Sequence, residues 1–182
     1  MKRIDIIRRI AAQDGLIVAN IGFPARELFS VHDQPENFYM LGSMGLASSI
    51  GLGLAMSQPG PVYVIDGDGA LLMNLGSLVT IAREAPSNLC LIVIDNGVYG
   101  STGNQPTARA DETDIAALAS AAGCKHVIEP IDEQQLQDAL DGFSSGLTVI
   151  VVQAEAGNAE VPIIDLSPIE IKNRFMGHLK TL

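Results

Sequence analysis

Cysteine is scarce in this chain: Cys90 and Cys124 are the only two among 182 residues. Two isolated cysteines make neither a zinc pattern, nor an iron–sulfur pattern, nor a disulfide framework. Cys90 lies in the apolar run LCLIVI and reads as a small buried hydrophobe. A reducing cytoplasm is the expected location. Positive charge is also short. Eleven Lys and Arg stand against 21 Asp and Glu, leaving a net charge of −10 and a pI near 4.5. That balance argues against nucleic acid or an anionic membrane as partner. It leaves room for a small anionic substrate, because a few local donors can outweigh the global field. Long hydrophobic runs are missing too, and none approaches the roughly 20 residues of a membrane span. The start, MKRIDIIRRIAA, is basic and apolar. Asp5, Arg8 and Arg9 interrupt it, and no greasy segment of about 7–15 residues follows, so a signal peptide is not expected. It reads as an amphipathic helix with Ile4, Ile6, Ile7 and Ile10 partly on one side. Repeats, low-complexity tracts and interdomain linkers are absent. With 47% hydrophobic and 18% charged residues, the expectation is one soluble globular domain over 1–182.

What is present is an alternation of short apolar runs and helical patterns. LIVANI (16–21), FYML (38–41), VYVID (62–66), LCLIVID (89–95) and TVIVVQ (148–153) read as strands. The last three are apolar on both faces, as strands buried in a parallel sheet are. Helices are expected near 45–56, 70–85, 114–122 and 132–143. Asp132 with Gln135 resembles a capping box at the last of these. The rhythm implies an α/β fold, a three-layer sandwich with a mostly parallel sheet. Residues 96–108, NGVYGSTGNQPTA, form a long polar loop after a strand, and such loops are often functional. After turn chemistry at 157–162, Ser167-Pro168 starts a helix to about 180, making 157–182 a helical tail.

Three strand-to-helix junctions carry chemistry: Gly42-Ser43-Met44-Gly45, Asp66-Gly67-Asp68-Gly69 and Asp95-Asn96-Gly97. In open parallel sheets ligands bind beyond the carboxyl ends of the strands, where all three would lie. The glycines around Asp68 allow a sharp turn and close approach of a ligand. A helix starting near Ala70 would aim free N–H groups at a diphosphate. Asp68 beside a diphosphate requires a cation between them, and magnesium bridges carboxylates and phosphates in this way. Asn96 follows Asp68 by 28 positions, one helix and one strand later. Its carboxamide oxygen is a hard ligand able to converge on the same ion, and the turn at Gly97 can present the Val98 carbonyl. Taken singly, Gly-Asp-Gly and Asp-Asn-Gly are ordinary turns. Their joint spacing, each after a buried strand, is specific.

This pattern resembles the thiamine diphosphate (ThDP) fingerprint, Gly-Asp-Gly followed just under thirty residues later by an Asn-Asn-like pair. The pair here is Asp95-Asn96, with Asn at the metal-ligand position. The segments PARELF (24–29), NFYMLGSMGLASSIGLGLA (37–55), IDGDGALLMNLGSL (65–78) and DNGVYGSTGNQPT (95–107) are similar to the β subunits of sulfopyruvate decarboxylases. Phosphonopyruvate decarboxylases are close relatives. Asp95-Asn96 and Tyr99-Gly100-Ser101-Thr102-Gly103 look more like the sulfopyruvate side. The resemblance implies a ThDP diphosphate-binding domain with Asp68, Asn96 and the Val98 carbonyl as Mg2+ ligands. It further implies Gly42, Ser43, Met44, Gly67, Gly69, Ala70 and Tyr99 around the cofactor. Met44 would prop the cofactor into a bent shape, and backbone near Gly42 and Met44 would grip its aminopyrimidine. Methionine also fills cores well, which is the competing use of Met44.

ThDP chemistry in this family needs a glutamate on the aminopyrimidine, carried by a separate pyrimidine-binding domain. No second domain is legible here, so a partner α subunit is expected to supply it. The implied substrate is a small anionic 2-keto acid. Arg26, Ser101 and Thr102 are substrate candidates, although an Arg beside a Glu is commonly a local ion pair. Asn104 and Gln105 either cover the cofactor or stabilise the loop. His32 is catalytic or structural, His126 and His178 are expected at the surface, and Arg174 is expected to be solvated. A ThDP carboligase or oxidoreductase half, and a non-catalytic ThDP-binding regulatory subunit, are the rival readings. In isolation, homo-oligomers could stand in for the true interface.

Overall fold

The computed structural model describes residues 1–108, 113–143 and 146–182. Six strands form one sheet: β1 (Leu16–Ala19), β2 (Asn37–Tyr39), β3 (Val62–Gly67), β4 (Leu89–Asp95), β7 (His126–Ile128) and β8 (Thr148–Gln153). Their spatial order is β2-β1-β3-β4-β8-β7, and every pair is parallel. Between and around them run α1 (Arg3–Ala11), α2 (Phe23–Val31), α3 (Ala47–Ser57), α4 (Asp68–Met73), α5 (Gly76–Glu84), α6 (Ile115–Ala121), α7 (Glu133–Asp141) and α8 (Pro168–Leu179).

The unbroken apolar runs of the central strands follow from burial on both sides. Alternate residues feed two separate cores. Val18, Val64, Leu91, Val93 and Val151 pack with Leu52, Leu78, Ile81 and Ala119 on one face. Ile17, Ile65, Ile92, Ile94 and Val152 pack with Ile6, Ile10, Leu28 and Leu136 on the other. Helices α3 to α6 therefore cover one face and α1, α2 and α7 the other. Tail helix α8 straddles the β2 edge, giving Phe175 to the first core and Ile171 to the second. Phe175 meets Phe38 of β2 at 5.3 Å between ring centroids. Arg174 is not solvated as expected: it forms a two-pronged pair with Asp33 at 2.6 and 2.9 Å.

Several elements differ from expectation for identifiable reasons. The single helix read over 70–85 starts earlier and breaks at Asn74, whose side-chain amide donates to the Gly45 carbonyl at 3.1 Å. Helix α2 and strand β7 are additional elements. The 96–108 loop contains a hairpin, with β5 (Val98–Tyr99) antiparallel to β6 (Gln105–Pro106). At α7, Asp132 caps Gln135 N, but the Gln135 side chain accepts from Ile131 rather than from Asp132. A complete capping box forms instead at Ser167 and Glu170.

The chain leaves β1 outward to β2, then returns past β1 to β3 and continues the opposite way to β4. The reversal lies between β1 and β3, so the segments leaving those two strands diverge and open a crevice. Close packing of α3 beneath this region depends on Gly51, where a Cβ would come within 2.1 Å of Val64 Cγ2. Helix propensity favours Gly51→Ala by about 1 kcal/mol. Overpacking against a stiff β-branched side chain in a central strand outweighs that. Urea unfolding of Gly51→Ala is expected to show a net loss of about 1–2 kcal/mol; unchanged or higher stability would contradict this packing account.

Candidate active site

A cleft of about 370 Å3 opens at the carboxyl ends of β1, β3 and β4, at the β1/β3 reversal. Its lining brings together Asn20 and Gly22 after β1, Asp66 to Ala70 across the end of β3, and Asn96 and Val98 to Thr102 after β4. Met44 also lines it. Gly42 and Ser43 sit exposed in the same loop but do not line the cleft. A larger cavity of about 460 Å3, with Arg8, Asp14, His32 and Glu36 in its wall, lies at the amino-terminal edge of the sheet. No strand end aims a ligand set there, and it places His32 away from the cleft.

Asp68 is the first residue of α4 and is almost fully buried. Its Oδ2 accepts from the Thr107 hydroxyl at 2.5 Å, and Thr107 N in turn donates to the Gly97 carbonyl at 2.9 Å. The hairpin is thereby fastened to the carboxylate. Burial pushes the Asp68 carboxyl above its ordinary value, the Thr107 hydroxyl opposes this, and the negative Asp95 adds to the rise. Asn96 Oδ1 accepts from Val98 N at 3.2 Å, which closes a tight turn over Gly97 with φ +68°. Asp95 is held at the end of β4 by Gln153, at 2.7 Å.

The glycines play different parts. A Cβ on Gly69 would collide with the Tyr99 ring at 2.3 Å and with the Thr107 methyl at 2.9 Å. Its small size admits the hairpin, and Gly69 also lines the cleft. A Cβ on Gly67 would meet nothing closer than Asn20 Nδ2 at 3.9 Å, so space remains there. Gly22, with φ +91°, admits Ser101, whose Oγ stands 2.5 Å from the Cβ position.

Two buried acceptors nearby, Asn20 Oδ1 and Asp66 Oδ2, lack a partner among the described residues. The other oxygen of Asp66 accepts from Gly67 N at 2.9 Å. Burial pushes the Asp66 carboxyl up to about 7, opposed by the Gly67 amide. A cleft holding carboxylates that burial disfavours, an amide oxygen and unsatisfied acceptors suits a cation bridging to an anionic group. Among the described residues no group of three or more His, Cys, Asp or Glu side chains has metal-holding geometry. A magnesium ion held by mixed oxygen ligands is compatible with this lining, and Asp68, Asn96 and the Val98 carbonyl are its candidate ligands.

Arg26 lies outside the cleft lining. Its guanidinium donates to the Val161 and Pro162 carbonyls and stacks on Phe23, 4.6 Å from the ring centroid. It pins the tail. Thr102 and Gln105 bond each other, at 2.9 and 2.8 Å, and so brace the hairpin. Arg3, Asn20, Gly22, Phe23 and Asn158 are lining residues that the motifs did not announce. Gly22-Phe23-Pro24 carries the one available signal, a helix start directly after a strand.

A match to the family described as thiamine pyrophosphate enzyme, C-terminal TPP binding domain, covers residues 18–153. This chain belongs to the thiamine diphosphate-dependent decarboxylase family. It is 47% identical to the sulfopyruvate decarboxylase subunit beta of Methanothermobacter thermautotrophicus, over 99% of this chain and 96% of that one. It is 37% identical to the phosphonopyruvate decarboxylase of Streptomyces viridochromogenes, over 98% of this chain but only 46% of that enzyme. A solved thiamin diphosphate-dependent enzyme from Mycobacterium smegmatis shares the fold, with TM-score 0.70 and 20% identity over 85% of this chain and 32% of that one.

The raised Asp66 carboxyl has a thermodynamic consequence in the metal-free decarboxylase chain. Between about pH 4 and pH 7 the folded chain keeps a proton that the unfolded chain has released, so this contribution to stability declines as pH rises through that window. Asp66→Asn keeps the shape and stays neutral. Its stability relative to wild type is therefore expected to be higher near pH 8 than near pH 5 in urea titrations. Parallel stability profiles would contradict it.

Proposed function

We propose that this chain is the β subunit of a ThDP- and Mg2+-dependent decarboxylase of a small anionic 2-keto acid, with sulfopyruvate as substrate and sulfoacetaldehyde and CO2 as products. The observation that carries the reading is the meeting of Asp68 and Asn96, 28 positions apart, in one cleft at the strand reversal. Residues 1–182 then act as one diphosphate-binding domain with a helical tail from about 157, working in the cytoplasm. No helix among the described residues is long and apolar enough to cross a membrane.

In this reading Asp68, Asn96 and the Val98 carbonyl hold Mg2+, and through it the diphosphate. Thr107 orients the Asp68 carboxylate, as outer hydrogen bonds orient metal ligands elsewhere. The space beside Gly67 receives the diphosphate, and the amino-terminal turn of α2 at Gly22 and Phe23 faces the same cleft. Met44 props the aminopyrimidine, with Gly42 and Ser43 supplying backbone beside it. When bound, ThDP supplies the electron sink that makes loss of CO2 from a 2-keto acid feasible. In the overall reaction the carboxylate leaves as CO2 and a proton takes its place on the carbonyl carbon.

Among the described residues the cleft lining holds two aspartates and no glutamate. Glu27 is committed to Arg3 through bonds of 2.8 and 2.9 Å and is buried. An α subunit carrying a pyrimidine-binding domain would supply the missing glutamate. The beta designation of the methanogen relative supports this, as does the single chain of the Streptomyces enzyme, of which this chain spans just under half. Exposed Leu41, Met44 and Leu46 beside the cleft, with Met56, Met73 and Val79 on α3 to α5, offer apolar surface for the partner. In isolation the same surface can bring two copies together. Sulfopyruvate stands before phosphonopyruvate because identity is higher on that side, 47% against 37%, and because of the loop 95–103.

Reconstitution tests the proposal. The chain alone, the α partner alone and the mixture are assayed for CO2 release from a panel of 2-keto acids with ThDP and Mg2+. Only the mixture is expected to turn over, fastest with sulfopyruvate; turnover by this chain alone would overturn the two-subunit reading. In the mixture, Asp68→Ala is expected to abolish Mg2+-dependent ThDP binding in calorimetry while leaving the far-UV circular dichroism unchanged. Undiminished ThDP affinity would remove the metal assignment.

A further inference from the structure

The hairpin over the cleft is fastened at its base by Thr107 and Asp68. Its tip, Tyr99 to Gly103, has a second fastening from segments far away in sequence. Arg3, 7% exposed although charged, lies on α1 and pairs with buried Glu27 of α2. The same guanidinium donates through Nη2 to Asn158 Oδ1 at 2.9 Å. Asn158 then donates through Nδ2 to the Gly100 carbonyl at 2.9 Å. One partner is an obligate donor and the other an obligate acceptor, so the orientation of the Asn158 amide is fixed by its neighbours. Glu27 also accepts from Ala159 N at 3.2 Å, which anchors the tail segment carrying Asn158. Contact is close enough that a Cβ on Gly100 would lie 2.7 Å from Asn158 Oδ1.

We propose that Asn158, held by the Arg3–Glu27 pair, is a positioning residue that sets the height of the 99–102 roof over the cofactor cleft. This rests on the ThDP reading for what the roof covers. The strut borders the cleft: Arg3, Asn158, Gly100 and Ser101 all contribute to its lining. Ser101 is seated against Gly22 at the start of α2, so the roof bears on the diphosphate side of the cleft. Losing the strut frees the tip while the Thr107 fastening remains. The metal ligands stay in place, and the cost falls on retention of cofactor and substrate under the roof.

Arg3→Ala is a poor test, because it strands a buried carboxylate and confounds folding with positioning. Asn158→Asp separates the two arms: it keeps the acceptor for Arg3 and loses the donor to Gly100. The full chain, with and without the α partner, is compared as wild type and Asn158→Asp. Backbone amides of 99–103 are expected to exchange faster with deuterium in the variant, while those of β3 and β4 stay unchanged. In the assembled enzyme the ThDP concentration for half-saturation and the KM for sulfopyruvate are expected to rise about three- to tenfold, the range of one modest hydrogen bond. The kcat at saturation is expected to stay within about twofold. Equal exchange at 99–103 in both proteins would overturn the proposal, as would faster exchange with unchanged half-saturation and KM. If the wild-type assembly bound no ThDP, the functional reading would fall, and exchange at 99–103 alone would decide the strut.

Discussion

Parallel pairing governs everything else in this molecule. A parallel sheet cannot close its connections with tight turns, so every strand must be followed by a crossover. Covering both faces with those crossovers demands strands apolar on both sides, and the central ones are. All strand ends of one polarity then share one edge. The direction of winding reverses beside β1 and β3, and at that place the covering segments part. The cleft is thus a product of topology before any side chain is chosen. Asn20, Asp68 and Asn96 need only occupy the first positions beyond their strands, with Asp66 next to last in β3.

Burial sets the electrostatic character of the cleft. Asp66 and Asp68 sit where water is excluded, and their carboxyls are pushed up for that reason. Asp95 adds negative charge nearby. In a chain of net charge −10, such a cluster invites a cation and makes anion binding conditional on it. The Arg3–Glu27 pair is neutral as a unit, so its service to the cleft is geometric. The hairpin is tied at its base to the buried Asp68 carboxyl and at its tip to that neutral pair.

Much of this was legible in the sequence. The runs at 62–66, 89–95 and 148–153 announced buried parallel strands, because two-sided burial removes alternation. The joint spacing of Gly67-Asp68-Gly69 and Asn96 announced a shared site, because each motif follows such a run. The family resemblance agrees with the family and relatives found. Other features were invisible for physical reasons. Strand order is not written in local patterns, so the reversal could not be read. Asn74 breaks a helix through a bond to Gly45, a tertiary contact. β7 is three residues long and largely exposed, too short to carry a period. At Gly69 the close approach of the Tyr99 ring is likewise a tertiary contact that no local pattern marks. Arg3 and Asn158 lie 155 positions apart, and nothing local marks either.

Tail helix α8 has a consequence for how the molecule meets others. By straddling β2 it caps one end of the sheet with rings and aliphatic side chains. The opposite end finishes in β7, only three residues long. Neither margin offers a ladder of free backbone groups long enough to recruit another strand. Growth of the sheet by lateral addition is closed at both ends. Association is left to the helical faces, where orientation is set by the shape of side chains and not by backbone register.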